Sequence, residues 1–278
     1  MYRLLAIDVD GTLMNSHNEL TPATRAALAR AGEAGIRVVL ATGRRYSHAL
    51  PLVEPLGIDV PLVTASGALV KDPIGHRTLY QARFEPEVLR DAVANVDRCG
   101  FDPVLCADTF AEGFDFYHAL PEPRTPELAQ YLAFNRGRGR LWPALVEDPP
   151  PGVFGGFVIG TWEQMSQLEA VLQRELPGKL NTHVLRPPRY AGFFTEIAPA
   201  GVTKWSAVQR LASQWGITEA EICAVGDDVN DIPMLRAAGL GVAMGNALAV
   251  VKAAADRIAP RNDEDGLAQV VGWLLEEC

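Results

Sequence analysis

Cysteine is scarce in this chain. Cys99, Cys106, Cys223 and Cys278 are scattered through 278 residues, with no Cys-x-x-Cys pair and no partnering histidine cluster. That excludes a zinc framework and a disulfide scaffold and suits a reducing compartment; each cysteine reads as a small buried residue or a free terminal thiol. The five histidines, His17, His48, His76, His118 and His183, show no metal-ligand spacing either. Positive charge is in deficit: the formal net charge of −9 argues against nucleic acid or an anionic membrane as main partner, while a local basic pocket for phosphate stays compatible with it. No uncharged segment reaches the ~18 apolar residues of a membrane span. The longest stretch, Ala237 to Val251, is glycine-rich and interrupted by Asn246. The N-terminal run Leu4 to Ile7 is too short, and too soon acidic, for a signal peptide, so a cytoplasmic location is expected. Neither Gly-x-Gly-x-x-Gly nor a P-loop signature occurs, which leaves dinucleotide and P-loop nucleotide binding unsupported.

What is present is an α/β pattern interrupted once. Leu4–Ile7, Ile36–Ala41 and Pro61–Ala65 read as buried strands, separated by a helix opening at Thr21-Pro22 and stopping at Gly35, and by a shorter helix after Arg44. Uniformly apolar strands between helices indicate a parallel sheet covered on both faces. From Phe84 to about Ala198 the pattern changes. Helices over Glu85–Asn95, Thr125–Phe134 and Thr161–Leu176 mix with β-rich runs at Val104–Cys106 and Val153–Ile159, and a hairpin pairs His183–Arg186 with Phe193–Ile197. Alternation returns after Pro199: a helix from Thr203, a strand Ile222–Val225, a helix Asp231–Ala238, a strand Leu240–Met244 and a helix Leu267–Leu275. The expected architecture is a Rossmann-like three-layer α/β core, residues 1–82 and 200–278, with an α+β domain, residues 83–199, inserted into it.

In open parallel sheets, ligands sit beyond the carboxyl ends of the strands. The first strand delivers Asp8, Asp10, Gly11 and Thr12; the second Thr42, Gly43 and Arg44; the strand from Ile222 delivers Asp227, Asp228, Asn230 and Asp231, and Lys204 opens the helix before it. Any one of these aspartates alone would form a turn or cap a helix. Together they make a site that needs a cation: converging carboxylates suit Mg²⁺, and a hydroxyl, glycine amides and a lysine suit phosphoryl oxygens.

Asp8-Val9-Asp10-Gly11-Thr12-Leu13, Thr42, Lys204 and Gly226-Asp227-Asp228-Val229-Asn230-Asp231 resemble, in order, the four motifs of the haloacid dehalogenase-like hydrolase superfamily. Thr42-Gly43-Arg44, Ile232-Pro233-Met234-Leu235 and Gly241 to Ala247, with a large α/β cap between motifs two and three, are similar to its Cof-type phosphatases. The resemblance implies Asp8 as nucleophile, forming an aspartyl-phosphate, and Asp10 as general acid and base. It implies Mg²⁺ on Asp8, Asp227 and the backbone carbonyl of Asp10. Gly11, Thr42, Gly43, Lys204 and Asn230 would serve the phosphoryl group, and Asp231 would orient the metal shell or Lys204. From the residues themselves, Arg44 is expected to meet substrate or the inserted domain, with a surface ion pair as the alternative. Three positions depart from the pattern: Ser66 stands where asparagine is common, Trp205 where glycine is usual, and Asp228 where serine or asparagine is frequent. The expected substrate is a small phosphorylated metabolite, turned over by a monomer or homo-oligomer. Phosphomutase or phosphonate chemistry on the same scaffold, and a phospho-accepting signalling module, are the competing readings; a receiver-like module fits the long insertion poorly.

Overall fold

The computed structural model describes residues 1–53, 56, 60–186 and 190–276. Cys278 and positions 187–189 of the expected hairpin connection lie outside the described residues. The chain divides into two compact units, Met1–Tyr80 with Thr203–Cys278, and Gln81–Val202.

In chain order, β1 (Leu4–Ile7), α1 (Pro22–Glu33), β2 (Arg37–Ala41), α2 (Tyr46–Ala49), β3 (Leu62–Thr64), β4 (Leu69–Lys71) and β5 (Thr78–Gln81) come first. The middle holds α3 (Pro86–Arg98), β6 (Val104–Ala107), β7 (Phe116–His118), α4 (Pro126–Phe134) and β8 (Gly139–Leu141). It continues through β9 (Val153–Gly160), α5 (Trp162–Glu175), β10 (Leu180–Leu185) and β11 (Phe193–Pro199). The chain closes with α6 (Lys204–Gln214), β12 (Ile222–Gly226), α7 (Ile232–Ala237), β13 (Leu240–Ala243), α8 (Ala249–Lys252), β14 (Arg257–Ile258) and α9 (Gly266–Glu276).

Among the described residues the first unit is built on an eight-stranded sheet in the order β14-β13-β12-β1-β2-β3-β4-β5. Pairing is parallel from β14 through β3, with Leu4 opposite Ile222 on one side and Arg37 on the other. Residues 4–7 are wholly buried, as a central strand covered on both faces requires. Leu4 and Ala6 join a core cluster with Val208 and Leu211 of α6 and Met234 and Leu235 of α7. On α1, Thr24, Ala27, Leu28 and Ala31 are buried at helical spacing, and this helix packs on α9. Each fully buried Leu or Ile contributes about 1.5–3 kcal/mol.

The expectation of an all-parallel sheet fails at one edge. β4 runs antiparallel to β3, because Ala65–Ala68 reverses the chain in a tight turn with no room for a crossover helix. β5 and β14 carry no uniform apolar run, being half or fully exposed, so the sequence pattern did not announce them.

The second unit holds a six-stranded sheet in the order β10-β11-β9-β6-β7-β8, antiparallel except between β7 and β8. The expected hairpin is present, with His183 opposite Glu196. Val96 of α3 and Met165, Leu168 and Leu172 of α5 pack with Val158 and Ile197 of the sheet. Cys106 and Cys223 are buried in strands as expected, but Cys99 is exposed at the C-terminal cap of α3. No helix among the described residues is long and apolar enough to cross a membrane.

The start of α6 matters most for the site. Thr203 accepts from the Ser206 amide at 3.0 Å while the Ser206 hydroxyl accepts from the Thr203 amide at 3.0 Å, which sets Lys204 as the first helical residue. Replacing Thr203 with Ala is expected to lower stability by about 1 kcal/mol in urea denaturation, the usual loss of an N-cap side chain. An unchanged midpoint would mean that neighbouring contacts hold the helix start without it.

Candidate active site

β1 ends at Ile7, and Asp8 continues its pairing by donating its amide to Val225 at 3.0 Å. The chain then turns at once. The Leu13 amide bonds Asp8 and the Met14 amide bonds Val9, while Gly11 adopts a φ of 85°. A Cβ at Gly11 would lie 2.3 Å from Asp227 Oδ2, so only glycine lets this loop and the loop after β12 come so close. Thr12 Oγ1 donates to Asp227 Oδ1 at 3.0 Å, tying the two loops together.

Lys204 lies between them, 2 % exposed. Its Nζ donates to Asp8 Oδ1 at 2.6 Å and to Asp231 Oδ1 at 2.7 Å. Asp231 is fully buried, and its other oxygen accepts from the Asp227 and Asp228 amides at 2.9 and 3.0 Å. Asp231 thus both places Lys204 and shapes the loop that carries Asp227. Burial by itself would lower the Lys204 pKa; the charges of Asp231 and Asp8 outweigh it, and the net direction is upward. Burial raises the Asp8 pKa. Lys204 opposes that rise, Asp231, Asp227 and Asp10 add to it, and the net direction is again upward. Asp227 is pushed up to about 7, first by burial and then by the charge of Asp231. One lysine is too little positive charge for this cluster.

The carboxylates of Asp8, Asp227 and Asp231 offer oxygens within 4.8 Å of one another. Asp231 is held at one oxygen by the Lys204 ammonium and at the other by two loop amides, whereas Asp227 accepts only from the neutral Thr12 hydroxyl and, at 3.4 Å, the Asn246 amide, so Asp8 and Asp227 are the carboxylates with more capacity for a cation. An all-oxygen donor set with surplus negative charge fits a hard divalent ion.

The remaining expected residues fall into two groups. Asp10 is held by Arg44 through both oxygens, at 2.8 Å from Nε and 2.6 Å from Nη2, and Arg44 Nη2 also donates to Asn18 at 2.6 Å. Of the two expectations for Arg44, substrate or an ion pair, this state shows an ion pair, with Asp10. Thr42 is fully buried, its hydroxyl accepting from the Arg44 amide at 3.0 Å, which leaves the hydroxyl proton to be donated elsewhere; Gly43 lies half-buried in the same loop. Asn230 is buried and donates to Ser66 Oγ at 3.2 Å. Asp228 caps the turn after β12, its Oδ1 accepting from the Val229 amide at 2.7 Å. Trp205 packs into the core and leaves the capping of α6 intact.

Asn246 was not foreseen as a site residue. Its amide donates to the Gly11 carbonyl at 2.8 Å and lies 3.4 Å from Asp227 Oδ2, while its carbonyl accepts from the Asn262 amide at 3.0 Å. Its signals were its place after β13, at another strand end, and its position inside the Gly241–Ala247 stretch that resembles Cof-type phosphatases.

An aspartate thus closes the central strand of the sheet, backed by a buried lysine and a second acidic loop. Residues 5–271 match the haloacid dehalogenase-like hydrolase family. Over 98 % of this chain and all of the relative, the sequence is 31 % identical to Phosphatase YwpJ of Bacillus subtilis. It is 32 % identical to the HMP-PP phosphatase of Serratia proteamaculans, covering 91 % of this chain and 87 % of that one. A haloacid dehalogenase-like hydrolase from Bacteroides thetaiotaomicron superposes with a TM-score of 0.78 at 28 % identity, covering 99 % and 100 % of the two chains. The chain belongs to the haloacid dehalogenase-like hydrolase family, among its Cof-type phosphatases.

Replacing Lys204 with Met would strand Asp8 and Asp231 in a buried site. A loss of about 3–5 kcal/mol is expected in urea denaturation, the usual cost of removing one partner of a buried ion pair. A second outcome follows from Asp227. Its carboxyl titrates higher folded than unfolded, so the stability it supports is complete below about pH 4 and lost as pH rises through about 7. In chelator, the melting temperature of Asp227→Asn should therefore gain on the native protein across that window. A difference independent of pH would exclude an elevated Asp227.

Proposed function

We propose that this protein is a Mg²⁺-dependent phosphatase that hydrolyses a small phosphomonoester through an aspartyl-phosphate on Asp8. The observation that carries the reading is the Asp8 carboxylate: buried, oriented through Oδ1 by Lys204, and with Oδ2 accepting no hydrogen bond among the described residues. Restraining one oxygen while leaving the other available is what a carboxylate nucleophile requires.

Asp8 Oδ2 attacks phosphorus in line, and the bond from phosphorus to the ester oxygen breaks. Asp10 gives that oxygen its proton. A water then attacks the aspartyl-phosphate as Asp10 takes its proton back, which releases inorganic phosphate and restores Asp8. Both Asp10 oxygens accept from Arg44, so the ion pair must open for Asp10 to turn to the leaving oxygen in the acid step. Opening it also frees the Arg44 guanidinium for an anionic substrate. Lys204 has a third N–H beyond those on Asp8 and Asp231, and Thr42 retains its hydroxyl proton; both serve the phosphoryl oxygens, together with the amides of Gly11 and Gly43.

Mg²⁺ would be held by Asp8, Asp227 and the Asp10 carbonyl, and when bound it neutralises charge between an anionic nucleophile and an anionic substrate. The inserted segment, residues 83–199, is assigned as the cap that restricts the site to small metabolites. Support comes from relatives whose names place them as phosphatases, one of them an HMP-PP phosphatase.

The test is phosphate release from para-nitrophenyl phosphate. Turnover is expected with Mg²⁺, to disappear in chelator and to return when Mg²⁺ is restored. Asp8→Asn should fold normally and lose at least about 10³-fold in kcat, the scale expected when a covalent nucleophile is removed. Asp10→Asn should lose most with poor leaving groups. Native-like turnover by Asp8→Asn would overturn the mechanism; stable phosphorylation of the native protein without turnover would favour a signalling module.

A further inference from the structure

Residues 244–248, between β13 and α8, are fixed by their backbone against the loop after β12. The Met244 amide donates to the Gly226 carbonyl at 3.0 Å and the Leu248 amide to the Asp227 carbonyl at 3.3 Å. The Gly245 amide donates to the Pro260 carbonyl at 3.1 Å, and the Gly245 carbonyl accepts from Lys252 Nζ at 2.6 Å. A Cβ on Gly245 would lie 2.8 Å from the Arg261 nitrogen, so the packing there is close. Asn246 is thus carried on a support that its own side chain does not have to build.

That side chain reaches three other segments. Its Nδ2 donates to the Gly11 carbonyl at 2.8 Å and, in a longer contact, to Asp227 Oδ2 at 3.4 Å; its Oδ1 accepts from the Asn262 amide at 3.0 Å. The orientation is dictated by its partners. A backbone carbonyl only accepts and a backbone amide only donates, so a turned side chain would set oxygen against the Gly11 oxygen and N–H against the Asn262 N–H. The Asn262 amide therefore makes Asn246 present hydrogens, and no lone pair, to Gly11 and Asp227.

This arrangement bears on a cation in two ways. Thr12 donates to Asp227 Oδ1 and Asn246 faces Oδ2, so each Asp227 oxygen meets one donor without formal charge. A neutral donor fixes a carboxylate and leaves its charge for an ion, which an ammonium would partly cancel. The same Asn246 amide also holds the Gly11 carbonyl, so one side chain sets the loop after β1 against the loop after β12. Ligands held in place before binding lose less freedom when the ion arrives.

We propose that Asn246 is a positioning residue for a divalent cation, its amide setting the Asp227 carboxylate and the turn at Gly11 in register for the ion. This rests on the reading above in which Asp8 and Asp227 hold Mg²⁺, and it requires no bound substrate.

The probe is Mg²⁺ alone, titrated calorimetrically into the whole chain after chelator treatment. Asn246→Ala should weaken Mg²⁺ binding by at least about tenfold, the usual effect of removing a group that orients a metal ligand. Turnover of para-nitrophenyl phosphate should then need about tenfold more Mg²⁺ for half-saturation. A general defect in folding would instead lower turnover at every Mg²⁺ concentration and leave the half-saturation point where it was. Asn262 supplies a second pair of variants that leaves Asn246 in place. Arg261 is extended, with φ −67° and ψ 157°, and Asn262 opens the short 3₁₀ turn Asn262–Glu264, a backbone that proline accepts at the first helical position. Asn262→Pro removes the amide that orients Asn246, whereas Asn262→Ala keeps it; both lose the Asn262 side-chain bond to the Met14 carbonyl. Asn262→Pro should bind Mg²⁺ more weakly than Asn262→Ala. Native Mg²⁺ affinity in Asn246→Ala would overturn the proposal, as would equal affinities in the Asn262 pair or an unmoved half-saturation point. Failure of the native protein to bind Mg²⁺ would overturn the cation reading and this proposal with it. Native binding with unaltered variants would overturn this proposal alone.

Discussion

Lys204, enclosed between Asp8 and Asp231, is the interaction on which the rest of the site depends. Removing the lysine would leave both carboxylates buried without a counter-charge, and removing them would leave the ammonium buried alone. The triad joins residues 196 and 27 positions apart in the chain, so it forms only when β1, α6 and the loop after β12 are in place. Its charges do not cancel. Asp227 adds a further carboxylate beside the triad, pushed up to about 7 first by burial and then by the charge of Asp231. That surplus of negative charge on an all-oxygen donor set suits a hard divalent cation.

The sheet supplies the geometry. Parallel pairing of β2, β1 and β12 brings three strand ends to one side, and the loops that leave them carry polar groups where no further strand needs their backbone. Close approach is then a matter of small residues in strained turns. Gly11 admits Asp227, and Gly67 admits the start of α6. Substitution at either would displace a loop of the candidate site rather than merely soften the backbone. Asn246 completes the arrangement from β13 by holding the Gly11 carbonyl and facing Asp227. The antiparallel turn into β4, which breaks the parallel pattern of the sheet, places Ser66 against Asn230.

Much of this was legible in the residues alone. The apolar runs Leu4–Ile7, Ile36–Ala41 and Ile222–Val225 could belong only to buried parallel strands. The acidic, glycine-containing stretches after them had to cluster, because strand ends in such a sheet share one side. Thr21-Pro22 and Thr203 announced their helices through capping chemistry that is local by nature. The short edge strands β5 and β14 were not legible, since half-exposed strands of a few residues carry no periodic signal.

The sequence by itself determined the fold class, the family and the choice of candidate site residues, because these depend on residue type and order along the chain. Only the tertiary structure decided which partner each group has. That Arg44 holds Asp10, that both Asp231 oxygens are spoken for, and that Asn246 joins the site are facts of distance between residues far apart in the chain. Charge balance and hydrogen-bond satisfaction are properties of a packed volume, and no linear spacing encodes them.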